Sequence, residues 1–137
     1  MFNLKKIVAH ALVAVAGAAV LVGITPTMAS AATRNGVCEG GEICFYWGYG
    51  VEGSISDFTT SIANYGSTQP GCYEFKTEDD GQYECMKNNA ASALNLSSRT
   101  VRVYVNSYFG GSYEDIRPYT SANLTVTANN NASHKFL

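Results

Sequence analysis

Residues suited to acid–base or nucleophilic chemistry are sparse in this chain of 137 residues. Its two histidines are His10, inside an apolar N-terminal run, and His134, close to the C-terminus. A Ser-His-Asp or Cys-His site needs a firmly held histidine base, and we expect His134 to lie on a frayed tail. The sequence also lacks HExxH, Walker and dinucleotide-binding glycine motifs. These features predict that the protein is not an enzyme.

Three carboxylates deserve comparison with a hydrolase pair. Asp57, Glu114 and Asp115 could in principle approach each other in the fold. However, Asp57 and Asp115 hold equivalent positions in two similar stretches, and aspartate commonly accepts hydrogen bonds from turn amides. We therefore interpret both as turn or strand-end residues.

The four cysteines, Cys38, Cys44, Cys72 and Cys85, predict disulfide bonds. Three pairings exist, and sequence proximity favours Cys38–Cys44 with Cys72–Cys85. A four-residue loop over 77–80 would place Cys72 opposite Cys85 across a hairpin. A zinc site is the alternative, and the absence of C-x2-C spacing disfavours it.

Two further segments share the pattern Asn-Asn-x-Ala-Ser. The side chains in question are Asn88, Asn89 and Ser92 in one segment, and Asn129, Asn130 and Ser133 in the other. Their neutral oxygens are of the type that Ca²⁺ accepts, although neither segment contains a carboxylate. The alternative is that the asparagines form left-handed turns and the serines cap nearby amides.

The N-terminal stretch 1–31 has the features of a cleaved signal peptide. Lys5 and Lys6 precede an apolar run over 7–24, and Ala29-Ser30-Ala31 is a small-x-small cleavage site. A membrane anchor is the alternative. Cleavage would leave a secreted domain over 32–137 with seven basic residues (nine minus two) against eleven acidic ones. That balance of about −4 gives no basic surface for nucleic acid.

These residues are held by elements that the sequence repeats. The stretch 101–116 matches 43–58 at a spacing of 58, and each copy contains Tyr-x6-Gly-Ser, at Tyr46 with Gly53 and at Tyr104 with Gly111. The repeat predicts that each glycine adopts positive φ at a tight corner. We expect the tyrosine ring to cover that corner.

Alternating apolar residues predict further strands. The pattern is clear at Val101–Val105 and at Leu124–Thr127, and Leu94 with Leu96 fits it as well. One short helix is a candidate within Ser56–Asn64. Together the signals predict a single all-β domain, a sandwich of two Greek-key motifs.

The motifs Tyr104-x4-Phe109-x-Gly111-Ser and Asn-Asn-x-x-Ser resemble the Greek-key signature and calcium clamp of microbial βγ-crystallins. The resemblance covers about Cys38–Ser133 and implies a βγ-crystallin-like fold with weak calcium binding and no required cofactor. Val51 departs from the signature, which has an aromatic residue there. Ala93 and His134 stand where the clamp has a second serine.

Three blocks resemble a family of small secreted bacterial peptidase inhibitors: Cys38–Tyr46 (CEGGEICFY), NNAASALN and VYVNSYFGGSYEDI. This resemblance implies an inhibitor of thermolysin-like metalloproteinases, with a secreted protease as its partner. No stretch matches a reactive-site motif, so no inhibitory residue carries over.

Rigidity nevertheless indicates where an inhibitory loop would lie, because a constrained segment loses little entropy on binding. The disulfide-tied segment over 72–85 is the most constrained exposed one, and Cys72, Tyr73, Glu74 and Phe75 are its candidate contact residues. The bonds Cys72–Tyr73 and Glu74–Phe75 are the hypothetical reactive bonds. The alternative is that the aromatic rings cover the core.

Three functions follow in order of preference. The first is a monomeric, secreted metalloproteinase inhibitor that acts away from membranes. The second is a calcium-binding structural module, and the third is a secreted killer toxin.

Overall fold

The computed structural model describes residues 33–137, and the predicted signal peptide over 1–31 lies outside them. The described chain forms seven strands and no helix, which confirms the all-β prediction. The strands are β1 (Ile43–Tyr46), β2 (Ile55–Phe58), β3 (Ser92–Asn95), β4 (Val101–Asn106), β5 (Gly110–Ile116), β6 (Thr120–Asn123) and β7 (Ser133–Phe136). Within this part of the chain no helix is long and apolar enough to cross a membrane.

The strands form two antiparallel sheets, in the orders β2-β1-β3-β6 and β5-β4-β7. Each half of the chain gives its third extended segment to the other half's sheet. Strand β6, from the second half, pairs with β3. Ile62, from the first half, forms an isolated bridge with His134 of β7. This exchange is the Greek-key arrangement that the repeat predicted.

The duplication is confirmed residue by residue in the strand registers. Ile43 lies opposite Phe58 in the first copy, and Val101 lies opposite Ile116 in the second. Both pairs are related by the spacing of 58 found in the sequence. Tyr46 faces Ser92, and Tyr104 correspondingly faces Ser133. The two halves are therefore related by a pseudo-twofold axis.

The two corner glycines have the predicted backbone, with φ of +81° at Gly53 and +77° at Gly111. That the tyrosine rings cover these corners stays a prediction. A side chain built at Gly53 would first meet Trp47 and backbone atoms, and one at Gly111 would first meet Asn106 and Val105. The close neighbours are thus supplied by the residues that follow each tyrosine.

Two predicted elements are wrong. The candidate helix within Ser56–Asn64 is replaced by β2, because Ser56 and Phe58 pair with β1 and their alternation matches a strand. Residues 124–127 do not form the predicted strand. The strand in this part of the chain is β6, which ends at Asn123. Leu124 instead turns inward and is buried, and its amide donates to Ala91 O.

The core lies between the two sheets and is centred on aromatic rings, with His134 among them. This histidine is fully buried, and its ring centroid is 4.9 Å from that of Phe58 and 5.4 Å from that of Phe45. The expectation of a frayed tail at His134 is wrong, because β7 pairs with β4 and forms part of the second sheet.

Both nitrogens of His134 are engaged. The Nε2 atom donates to Thr60 O at 2.8 Å, so Nδ1 carries no proton and accepts from the Tyr65 hydroxyl at 2.8 Å. Burial lowers the pKa of His134 to about 4. The imidazole is therefore a neutral part of the core that links the end of the chain to residues 60–65.

This burial predicts that stability falls in mild acid. Between the unfolded pKa of 6.5 and the folded value of about 4, the unfolded chain binds the proton and the folded chain does not. The free energy of unfolding should therefore be fully present above pH 6.5 and fall by up to about 3 kcal/mol as the pH drops to 4. Urea titrations at a series of pH values would measure this, with His134→Gln as the comparison. An identical slope in the variant would contradict the assignment to His134.

Candidate functional site

Both predicted disulfides are present. Cys38 and Cys44 join with a Cα–Cα distance of 5.9 Å, and Cys72 and Cys85 join with one of 5.6 Å. No cysteine of the described chain is free. The second bond closes a 14-residue segment, 72–85, which we call the disulfide segment.

The hairpin register predicted inside the disulfide segment is wrong. Cys85 lies opposite Glu74 in an isolated bridge rather than opposite Cys72. The amide of Phe75 donates to Glu84 O, and that of Tyr83 donates to Phe75 O. Tyr83 has a φ of +67°, which replaces a regular strand with turns. The segment is therefore held by side chains and isolated backbone bonds.

Phe75 is fully buried, so the prediction that it presents its ring to a protease is wrong. Its ring packs edge-on against Trp47, with centroids 5.7 Å apart, in the core. Tyr73 is half-buried and packs edge-on against Phe58 at 5.4 Å. The aromatic residues of this stretch thus cover the core, which was the alternative interpretation.

The backbone around the two hypothetical reactive bonds is also occupied. Tyr73 donates its amide to Tyr65 O at 2.8 Å and accepts from the Met86 amide at 2.7 Å. The carbonyl of Glu74 accepts hydrogen bonds from Arg34 and Ser56. A protease that reads an extended chain would have to break these bonds first.

Arg34 fastens the disulfide segment to the first sheet. Its guanidinium lies 4.4 Å from the Phe58 ring centroid and 5.1 Å from that of Tyr73. It donates to Ser56 Oγ and to the Glu74 carbonyl. Burial lowers the pKa of Arg34, while the nearby Asp57 opposes that shift. Arg34 therefore ties the Tyr73–Glu74 part of the disulfide segment to β2.

An exposed loop lies just before Cys72, in residues 67–71. The amides of Gly71 and Cys72 both donate to Thr68 O, which closes a tight turn. Gln69 Nε2 then donates to Tyr83 O at 2.7 Å and to Glu74 Oε2 at 2.9 Å. This loop, residues 67–71, and the Tyr83 side chain together form one restrained surface.

Sequence reasoning missed Tyr83, which is 63% exposed. Tyr83 follows Gly81-Gln82 in a run of turn-forming residues, where a side chain is usually exposed. That position could have predicted its exposure. Glu74 supports the same surface. The hydrogen bond from Lys76, and then that from Gln69, lower the pKa of the Glu74 carboxyl. It is therefore ionised at neutral pH and accepts both bonds.

A second exposed aromatic tip was also missed, at the β4–β5 turn. Tyr108 is 74% exposed, and it and Phe109 have φ of +61° and +58°. In the first copy Gly50 and Val51 take the same backbone conformation. Turn positions with left-handed backbone are usually occupied by Asn or Gly. The aromatic residues at this turn could therefore have marked it as unusual in the sequence.

The three carboxylates do not form a catalytic pair. Asp57 accepts from the amides of Asn35 and Gly36, each at 2.9 Å, and Asp115 forms a two-point ion pair with Arg102. Glu114 accepts from Thr125 and Thr127. Asp57 and Asp115 lie in different sheets, which agrees with their interpretation as local hydrogen-bonding residues.

The Asn-Asn-x-Ala-Ser segments meet across the pseudo-twofold axis. The Asn88 amide donates to Asn131 O at 2.8 Å, and the Asn129 amide donates to Ala90 O at 2.9 Å. Asn88 and Asn129 both have positive φ. These reciprocal bonds join the two halves of the domain.

The two serines play matching roles beside them. Ser92 Oγ donates to Gly48 O and accepts from the Val51 amide. Ser133 Oγ donates to Asn106 O and accepts from the Phe109 amide. Each serine therefore caps the loop that follows the first strand of its own copy.

These segments do not fit a tight calcium site. Both hydroxyls are committed to backbone groups, and His134 is held by Tyr65 and Thr60. Asn131 Oδ1 is buried with no hydrogen-bond partner among the described residues. Neither segment contains a carboxylate, which leaves only neutral oxygens for a cation that takes six to eight oxygen ligands. No cluster of three His, Cys, Asp or Glu residues in 33–137 could hold a metal. Weak calcium binding stays a prediction.

The architecture defines a class of protein, the βγ-crystallin domain. One solved βγ-crystallin domain, from work on the evolution of the eye-lens fold, is 10% identical, with a TM-score of 0.54 over 81% of this chain and 93% of that one. A βγ-crystallin from Ciona intestinalis is 14% identical, with a TM-score of 0.52 over 71% and 100%. An archaeal βγ-crystallin is 18% identical, with a TM-score of 0.50 over 72% and 100%. At these identities the likeness shows the fold.

The family is identified by sequence. The profile of peptidase inhibitor family I36 matches residues 31–116, which is more than half of the chain. No curated protein gives a match. The chain therefore belongs to peptidase inhibitor family I36, and it is an inhibitor rather than an enzyme.

The burial of Phe75 and the exposure of Tyr83 predict opposite effects of truncation. Phe75→Ala should lower the free energy of unfolding by about 3–5 kcal/mol, because it opens a cavity beside Trp47. Tyr83→Ala should change it by only about 0.5 kcal/mol. Urea denaturation of both variants would measure this. A small effect of Phe75→Ala would contradict its place in the core.

The donor set predicts little response to calcium. Adding about 10 mM CaCl₂ to the metal-free protein should shift the melting temperature by less than about 1 °C, since a ligand stabilises only a fold that binds it. Differential scanning calorimetry with and without chelator would show this. A rise of several degrees would contradict this prediction and show that the folded protein binds calcium.

Proposed function

We propose that this protein is a secreted inhibitor of a metalloproteinase and binds it through the surface formed by residues 67–71 and Tyr83. Membership of an inhibitor family supports a protease as the partner. The observation that carries the location is the double hydrogen bond of Gln69 to Tyr83 O and Glu74, beside the Cys72–Cys85 bond.

The four residues expected to form the inhibitory loop support this surface rather than make the whole contact. Cys72 ties the loop to Cys85, and Glu74 accepts the Gln69 amide. Tyr73 packs against Phe58, and the buried Phe75 anchors the disulfide segment in the core. The residues that would contact the protease are therefore the loop 67–71 and Tyr83.

Rigidity explains how such a surface inhibits. Binding costs less ordering entropy when loop and side chain are already fixed. Because the backbone of Tyr73 and the carbonyl of Glu74 are hydrogen-bonded within the protein, the nearby peptide bonds resist entry into a protease cleft. The inhibitor therefore occupies the enzyme without being consumed.

The two disulfides and the predicted signal peptide support an extracellular site of action. The described residues bury a hydrophobic core without a second copy of the chain. We therefore propose that the protein is a monomer. The calcium-module and killer-toxin alternatives gain no specific support from contacts among residues 33–137.

The test compares three tyrosines of matched exposure and backbone. Tyr83, Tyr108 and Tyr119 are 63%, 74% and 68% exposed, and all have positive φ. Tyr83→Ala should weaken inhibition of thermolysin about 10-fold or more, as loss of an aromatic contact at an interface does. Tyr119→Ala, in the β5–β6 turn, should leave inhibition unchanged. Inhibition constants from residual thermolysin activity would measure both.

Two results would count against this location. If Tyr108→Ala weakens inhibition and Tyr83→Ala does not, the β4–β5 tip is the contact. If mass spectrometry finds cleavage at Cys72–Tyr73 after incubation with the enzyme, the backbone bonds do not protect that site. Failure of the wild-type protein to inhibit any metalloproteinase would remove the proposed target class.

A further inference from the structure

A groove lies between the β1–β2 loop and the disulfide segment, and its lining shares no residue with the surface of 67–71 and Tyr83. One wall is the β1–β2 loop over 47–53, and the other is the pair Asp79-Asp80. Its volume is about 530 Å³. That volume is enough for an extended side chain with part of its backbone.

The groove is built before any ligand arrives. The Ser54 amide donates to Asp80 O at 2.9 Å, which fastens one wall to the other. Trp47 packs closely against Gly81, where an added Cβ would be 2.3 Å from a ring carbon. Its ring is also wedged edge-on by Phe75. Trp47, which lines the groove, is therefore held in place by both contacts.

The chemistry of the lining is aromatic and negative. Tyr46, Trp47 and Tyr49 contribute rings, and Tyr49 is 54% exposed. Glu52, Asp79 and Asp80 contribute carboxylates, and no lysine or arginine is among the described lining residues. In residues 33–137, the carboxylates of Glu52 and Asp80 have no hydrogen-bond or ion-pair partner.

We propose that this groove accepts an arginine side chain of the partner protein. A guanidinium stacks on aromatic faces and forms two-point hydrogen bonds with carboxylates, so it matches both halves of the lining. A lysine ammonium can also lie over an aromatic ring, but it lacks the planar fork that forms two-point hydrogen bonds with a carboxylate. The identity of the partner as a protease rests on the proposed function, while the chemistry of the groove does not.

Trp47 makes the proposal directly measurable, because it is the one tryptophan in the chain. The probe is the peptide acetyl-Ala-Arg-Ala-amide, titrated into the protein alone while tryptophan fluorescence is followed. We expect a saturable change that weakens with added salt. The matching peptides with Gln or Glu in place of Arg should give none.

The variants separate the groove from general surface charge. Glu52→Gln and Asp80→Asn should each weaken the peptide about fivefold, since each removes a charged acceptor. Glu84→Gln, an exposed carboxylate of the same segment outside the groove, should not. Absence of a saturable change, an equal response to the Gln peptide, or an equal effect of Glu84→Gln would overturn the proposal.

A second measurement keeps this proposal distinct from the proposed function. Thermolysin inhibition is compared between the wild type and Asp80→Asn. If the arginine peptide binds but the wild-type protein does not inhibit, the inhibitory function fails and the groove stands. If inhibition is strong and Asp80→Asn leaves it unchanged, the protease is not the source of the arginine.

Discussion

The exchange of extended segments between the two halves is the constraint on which the rest of the structure depends. Each copy on its own would leave one sheet edge and one apolar face open to water. Strand β6 closes β3 of the first copy, while Ile62 pairs with His134 of the second. The fully buried His134 then binds Tyr65 and Thr60, which precede the disulfide segment. The pairing that builds the core therefore also anchors the chain just before the segment proposed to act.

The arrangement separates the part of the chain that must fold from the part that can vary. The repeated strands carry the core, and the long connection from β2 to β3 carries the disulfide segment. The second copy has a much shorter connection from β5 to β7, with no disulfide. An insertion into one copy can thus acquire a function without disturbing the pseudo-twofold axis. Arg34 and the Cys72–Cys85 bond are the fastenings that make the insertion rigid.

The fold was predictable where the sequence repeats itself. The repeated pairs Tyr46 with Gly53 and Tyr104 with Gly111 predicted the duplication. The short sequence separations between cysteines predicted both disulfides. Outside the repeats, local sequence patterns did not predict which side chains are buried. Phe75 alternates with polar residues as an exposed hairpin residue would, yet Trp47 from another loop decides its burial. The sequence predicts a loose tail at His134 because the strand that pairs with β7 is distant in sequence. Exposed residues such as Tyr83 leave little pattern, since no packing constrains them.

The most direct test of the central claim is a crystal structure of the mature protein bound to thermolysin. We expect residues 67–71 and Tyr83 to lie against the catalytic cleft, with the Cys72–Tyr73 and Glu74–Phe75 bonds intact and Phe75 still in the core. A complex in which the enzyme contacts another face, or in which the chain is cut within the disulfide segment, would contradict the account.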